Sequence, residues 1–223
     1  MTRRIAASTL LACALMVCTA APAAPPVEWD GLQRVASKRF QLVYVQPGAD
    51  FRSYTKVMVD PTEVSFRKNW RRDYNSGTRD LGGRVSDRDV EEAIAKGAAA
   101  ATDIFRDEWT KGGFAVVDSP GPDVLKVKTG VLNISVSAPD VRTSVRSHTF
   151  SNEAGHATLF VELRDSLTGA LLGRAVDGKV AGDNTVGWRS SVSNRSDFRQ
   201  IVEEWARDSV RGLHALKNAA SGR

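Results

Sequence analysis

The chain reads as an α+β domain: a single mixed, mostly antiparallel β-sheet with two amphipathic helices packed on one face. Three observations lead there. Two long segments repeat apolar residues at three- and four-residue spacing, the period of a helix. Six shorter runs are rich in Val, Ile, Leu and Phe and end in turn residues. Their order, β-β-α-β-β-β-β-α, lets one sheet carry both helices on a shared face.

The elements follow in order. Phe40 to Val45 is a β-rich run closed by the turn residues Gln46 to Asp50. Tyr54 to Val59 is a second run, ended by Asp60-Pro61. Thr62 to Arg84 is dense in Arg and Asp and is expected to be ordered by its side chains rather than by regular structure. Ser86 to Gly112 is the clearest helix. Ser86 can cap it, Asp87 and Asp89 suit its positive end, and Gly112-Gly113 stops it. Val90, Ile94, Ala98, Ala101, Phe105 and Trp109 form its apolar face.

Phe114 to Val117 is a short strand, and Asp123 to Ser137 alternates apolar and polar residues, with Gly130 marking a bulge. Ala157 to Asp165 and Leu171 to Ala181 form a hairpin joined by Ser166 to Gly169, where Gly169 can take a positive φ. Asp197 to Asn218 is the second helix, with Phe198, Ile201, Val202, Trp205, Ser209, Leu213 and Leu216 on one face.

The domain division expected is 1–23 export signal, 24–38 linker or N-terminal arm, and 39–219 a single α+β domain. Arg3 and Arg4 precede the apolar run Ile5 to Cys18, and Ala21-Pro22-Ala23 supplies the small-x-small pattern of a cleavage site between Ala23 and Ala24. Two alternatives stand beside cleavage there: lipid attachment at Cys13 or Cys18, and an uncleaved N-terminal anchor. The location expected is the periplasm or outer membrane of a Gram-negative bacterium.

Composition narrows the function. Of 223 residues, 42% are hydrophobic and 26% charged, which sets disorder aside. Outside the N-terminus no run of about 18 apolar residues exists, which excludes a multi-pass membrane protein. The net charge of +5 becomes +3 once Arg3 and Arg4 leave, too little to argue for nucleic acid. Both cysteines lie in the export segment, so the cleaved chain has no thiol nucleophile, thiolate metal site or disulfide.

The strongest candidate for binding is the run Phe66 to Tyr74, in which Arg67, Lys68, Arg71 and Arg72 flank Trp70. Guanidinium forks recognise phosphate and carboxylate, and aromatic faces stack on sugars. The competing reading is an internal network, with these cations paired to nearby Asp and Trp70 packed in the core. Trp188 and Arg189, in a polar loop from Gly182 to Asp197, form a second candidate anchor. The loop from Ala138 to Gly155 is long enough to be functional.

No catalytic residue, metal ligand or cofactor is assigned. His148, His156 and His214 match no ligand spacing. Glu91-Glu92 and Glu203-Glu204 are adjacent on helices, so they face apart. A Gly-x-Ser-x-Gly elbow and phosphate-loop glycines are absent.

Five segments carry a family resemblance: Trp29-Asp30-Gly31-Leu32, Tyr54 to Pro61, Phe66 to Trp70, Gly121 to Leu125, and Asp165 to Leu172. The stretch from Trp29 to Asp183 resembles a bacterial family of exported proteins and lipoproteins known as domain of unknown function 3313. The resemblance implies an envelope location and no assigned reaction. A looser likeness links the helix-then-strands order to periplasmic accessory domains of curli-secretion lipoproteins and to lipoprotein activators of penicillin-binding proteins, which bind other proteins.

The function expected is therefore non-enzymatic binding to another envelope protein or an anionic envelope component. The alternatives are an envelope hydrolase with a site assembled from distant segments, and a carrier of a small apolar ligand. Cleavage after Ala23 leaves 200 residues beginning at Ala24, a species that the intact mass of protein recovered from cells identifies. A mass retaining Cys18 and a lipid would select the anchored alternative instead.

Overall fold

The computed structural model describes residues 24–78, 83–136, 149–151, 155–181, 187–189 and 191–221. Residues 1–23, expected to be an export signal and containing Cys13, Cys18 and Ala23, lie outside them, together with His148 and most of the loop from Ala138 to Gly155.

The chain opens with β1 (Glu28–Trp29) and β2 (Leu32–Val35), followed by β3 (Leu42–Val45), β4 (Lys56–Val59) and β5 (Glu63–Phe66). Helices α1 (Trp70–Gly77) and α2 (Asp87–Lys111) come next, then β6 (Ala115–Val116) and β7 (Val124–Val136). The remainder is β8 (Thr149–Ser151), β9 (Gly155–Asp165), β10 (Leu171–Ala181), β11 (Gly187–Arg189) and α3 (Ser191–Ser221). One nine-stranded mixed sheet runs in the order β1-β2-β3-β10-β9-β7-β4-β6, with β5 also on β7. The pairs that β7 makes with β4 and β5 are parallel, because α2 returns the chain to the end where β4 began. The ladder from β7 through β9, β10 and β3 to β1 is antiparallel.

Register assigns the faces. Val127, Thr129 and Val131 pair with Leu163, Val161 and Leu159, and these with Gly173, Ala175 and Asp177. This face meets α3 where Trp205 Nε1 donates to Asp177 Oδ2 at 2.8 Å. It meets α2 where the Thr62 amide donates to Thr102 Oγ1 at 2.9 Å, while Thr62 and Thr129 share a hydroxyl contact at 2.8 Å. Trp109, Phe105, Trp205, Val202 and Leu213 complete the core with Val57, Leu125 and Leu159. Gly112 lets the helices close: a Cβ there would collide with Val210 Cγ1. Ser86 and Asp89 form a reciprocal capping box on α2, and Gly113 leaves it at φ 87°.

The structure departs from the sequence reading at five places. The arm 24–38 contains β1 and β2, which extend the sheet beyond β3. Thr62 to Arg84 contains β5 and a third helix, α1, too short for periodicity to reveal. The bulge is not at Gly130, which pairs regularly with Phe160; it falls between Leu132 and Ser135, where Asn133 takes φ 56°. Helix α3 starts at Ser191 rather than Asp197. Lastly, β8 and β11 form a separate two-stranded sheet.

Asp177 is 5% exposed and joins three elements, since its Oδ1 accepts the Gln41 amide at 3.1 Å and its Oδ2 holds the Trp205 indole. Asp177→Ala strands a buried indole N–H and is expected to lower unfolding stability by about 2–4 kcal/mol in urea titration at neutral pH.

Candidate functional site

The candidates of the Phe66–Tyr74 run gather at the end of the sheet where β7 finishes. The Arg67 amide donates to Ile134 O at 2.8 Å and so prolongs the β5 pairing by one residue. Asn69 then turns at φ 62° and starts α1 without a side-chain cap. Trp70 is 4% exposed, and its Nε1 donates to Val136 O at 3.3 Å. Its ring stacks on Phe66 at 4.5 Å and on Tyr74 at 5.7 Å. Trp70 is thus the packed base of this corner and presents no free ring face to a sugar or base.

The arginines around it stay at the surface. Arg67 Nη2 reaches Asp73 Oδ2 at 3.1 Å, and Arg72 Nη2 reaches Asp73 Oδ1 at 3.0 Å, so two guanidinium groups share one carboxylate. The Arg72 hydrogen bond, helped by that of Arg67, holds the Asp73 carboxyl below the usual range. Arg71 Nε reaches Asp87 Oδ1 at 2.9 Å and ties α1 to the first turn of α2. Asn75 adds a second tie, exchanging two 2.8 Å hydrogen bonds with the Val85 backbone. Arg67, Lys68, Arg71 and Arg72 set four cations against the two carboxylates Asp73 and Asp87, a surplus of two positive charges.

Trp188 and Arg189 lie on β11, whose backbone pairs with Phe150 and Thr149 of β8. In the main sheet, Gly155 at the start of β9 faces both Ala181 and Val136.

The opposite end holds three more of the segments that carry the family resemblance, those around Tyr54, Asp123 and Asp165. The Tyr54 hydroxyl donates to Asp165 Oδ2 at 2.9 Å, Thr55 to Asp123 at 2.7 Å, and Ser166 Oγ to Gly121 O at 3.0 Å. Burial and then the Asp165 hydrogen bond push the Tyr54 hydroxyl up to about 12, while the Thr168 amide and hydroxyl hold the Asp165 carboxyl low. Each group keeps its ordinary neutral-pH form, as a structural clasp does.

Sequence reasoning missed one cluster on the sheet face opposite the helices. Arg174, 8% exposed, places Nη2 on Glu162 Oε1 at 2.7 Å and Nη1 on Asp30 Oδ2 at 2.8 Å. The Trp29 ring covers it at 4.2 Å, and Arg164 adds a 2.7 Å pair to Glu162. Burial alone would raise the Glu162 carboxyl, but hydrogen bonds from Arg174 and Arg164 outweigh it and hold it below the usual value. The available signal was a charged residue in the middle of each of two paired strands. Among the described residues no group of three His, Cys, Asp or Glu converges as metal ligands do, and no helix is long and apolar enough to cross a membrane.

Residues 26–209 match the family described as protein of unknown function, DUF3313. No curated protein matches the chain in sequence. Three solved structures are similar to it at low identity. The PelC dodecamer from Paraburkholderia phytofirmans is 13% identical, with a TM-score of 0.36 over 74% of this chain and 94% of that one. Protein XCC0632 from Xanthomonas campestris is 11% identical, with a TM-score of 0.42 over 80% and 94%. A homologue of the neuraminyllactose-binding hemagglutinin from Helicobacter pylori is 8% identical, with a TM-score of 0.35 over 78% and 93%.

Glu162 gives a pH signature. Its folded value lies below its unfolded one, so its contribution is complete above the unfolded range and is lost as pH falls through the folded value. Glu162→Gln is expected to cost about 3 kcal/mol at neutral pH, because it leaves Arg174 buried with only Asp30. In urea titrations the gap to the wild type is expected to hold near neutrality and to shrink below about pH 4.

Proposed function

The chain belongs to the DUF3313 family, and we propose that it is an exported protein of the bacterial cell envelope that works by binding rather than by catalysis. Its contact surface is the α1 end of the sheet, and its partner is another envelope protein or an anionic envelope component. The observation that carries this reading is the arrangement of Arg67, Arg71 and Arg72. Their charge is in surplus, their side chains are 43–73% exposed, and the helix bearing two of them is anchored by a buried Trp. A rigid base with adaptable cationic tips loses little entropy on binding.

The titration behaviour supports binding over acid–base chemistry. Asp50, Asp73, Asp123, Glu162 and Asp165 are all shifted downward by hydrogen bonds and cations. A general acid at neutral pH needs the opposite shift. Export is supported by the charged, apolar and small-residue order of residues 1–23.

The test is crosslinking of the tagged protein in intact cells, with identification of what is recovered. One reproducible envelope partner is expected, and Arg71→Glu plus Arg72→Glu is expected to reduce its recovery about tenfold, as loss of two charge-assisted contacts would. Recovery of the bare protein alone, in repeated preparations, would sink the reading.

A further inference from the structure

We infer that the α1 end of the sheet faces a bilayer surface carrying anionic lipid, and that the chain before Ala24 leads to that same surface. This rests on the reading of the α1 end as a contact surface and names what it meets. Two independent observations carry it. The first is strand direction. β3 runs antiparallel to β10, β10 to β9 and β9 to β7, so β3 starts at the end where β7 finishes. β2 is antiparallel to β3, and β1 to β2, so β1 also runs away from the α1 end. Followed backwards from Trp29, the chain therefore heads toward the α1 end.

Local chemistry keeps that course. Val27 O accepts the Arg34 amide at 2.9 Å, and Pro26 O accepts the Tyr44 hydroxyl at 2.9 Å. Both bonds hold the exit along the sheet. Pro25-Pro26 favours an extended polyproline conformation, which resists folding back. An extended chain spans at most about 3.6 Å per residue, so a lipid on Cys18 would lie within about 22 Å of Ala24.

The second observation is charge. The α1 corner sets Arg67, Lys68, Arg71 and Arg72 against Asp73 and Asp87, a surplus of two. A planar anionic surface responds to the sum of nearby charges and needs no convergence of guanidinium groups on one point. Two surplus cations near such a surface are worth about thirtyfold in partitioning. That is enough to orient a tethered chain and too little to hold a free one. At the opposite end Asp50, Asp123 and Asp165 outnumber the cations paired with them, Arg52 and Lys56.

The test uses the protein as recovered from the envelope. Its partitioning is measured by sedimentation with phosphatidylcholine vesicles, with and without phosphatidylglycerol. The anionic vesicles are expected to be preferred about thirtyfold. Arg67→Gln plus Arg72→Gln is expected to bring that ratio near one. Arg67→Lys plus Arg72→Lys keeps the charge and is expected to keep the ratio, which a merely structural role of the guanidinium groups would not allow. Arg199→Gln plus Arg211→Gln, an equal charge change on exposed arginines of α3, is expected to leave it unchanged.

Orientation is read separately. No cysteine follows Cys18, so a cysteine introduced at the surface is readily labelled. Ser76→Cys on α1 and Leu167→Cys in the β9–β10 turn each carry a fluorophore, and a quencher is attached to the lipid headgroups. Quenching is expected at position 76 and not at 167. Equal partitioning to both vesicle types overturns the inference, as does quenching at 167 or an equal loss in the α3 control. A preference for anionic vesicles that survives Arg67→Gln plus Arg72→Gln overturns the α1 contact reading together with this inference. A partner crosslinked in cells and lost with Arg71→Glu plus Arg72→Glu, with no such vesicle preference, overturns the lipid assignment alone.

Discussion

The backbone of β7 must find hydrogen-bond partners along thirteen residues on both edges, and much of the molecule answers that requirement. One edge is filled by β9 in a single antiparallel ladder. The other is shared by β4, which pairs with Val124 to Val127, and β5, which pairs from Gly130 to Ile134. Both run parallel to β7, so the chain between them must return along the sheet, and α2 does this. Its path puts Thr102 beside the β4–β5 link, where the Thr62 amide would otherwise be buried without an acceptor. The bulge around Asn133 adds one residue to β7 and shifts its register against both β9 and β5, after which Ile134 pairs with Phe66.

The two faces of this sheet meet opposite requirements. The helical face is apolar except where a hydroxyl or carboxylate is fully partnered, as at Thr129 and Asp177. The other face carries charges, and the register sets like charges opposite each other at Lys126 and Arg164. Such pairs repel, and nearby acids offset them: Asp60, just after β4, takes Lys126, and Glu162, on β9 itself, takes Arg164. Arg174 is the most buried of these cations, and it is covered by the N-terminal hairpin through Trp29 and Asp30. Trp29 and Asp30, in the stretch the sequence read as a linker, therefore belong to the folded domain's charge balance.

The α1 corner follows from the same architecture. Where β7 ends, its last carbonyl would face solvent, and Trp70 Nε1 meets it instead. Stacking of Phe66, Trp70 and Tyr74 then fixes a short helix that its own propensity could not hold. The arginines beside Trp70 inherit that rigidity, while their side chains remain at the surface.

The sequence by itself determined the fold class, the two long helices with their buried faces, the β9–β10 hairpin with its left-handed Gly169, and the family. These rest on local periodicity, capping and turn chemistry, which neighbouring residues carry. It also singled out Arg67, Trp70, Arg71 and Arg72, because their composition is unusual, but not that Trp70 turns inward while the arginines stay out. Only the tertiary structure decided that, together with β1, β2, β5, α1 and the Arg174 cluster. Each is too short for a period, or depends on partners such as Asp30 and Arg174, 144 residues apart. Their stability comes from pairing across the sheet, and such pairing leaves no mark on adjacent residues.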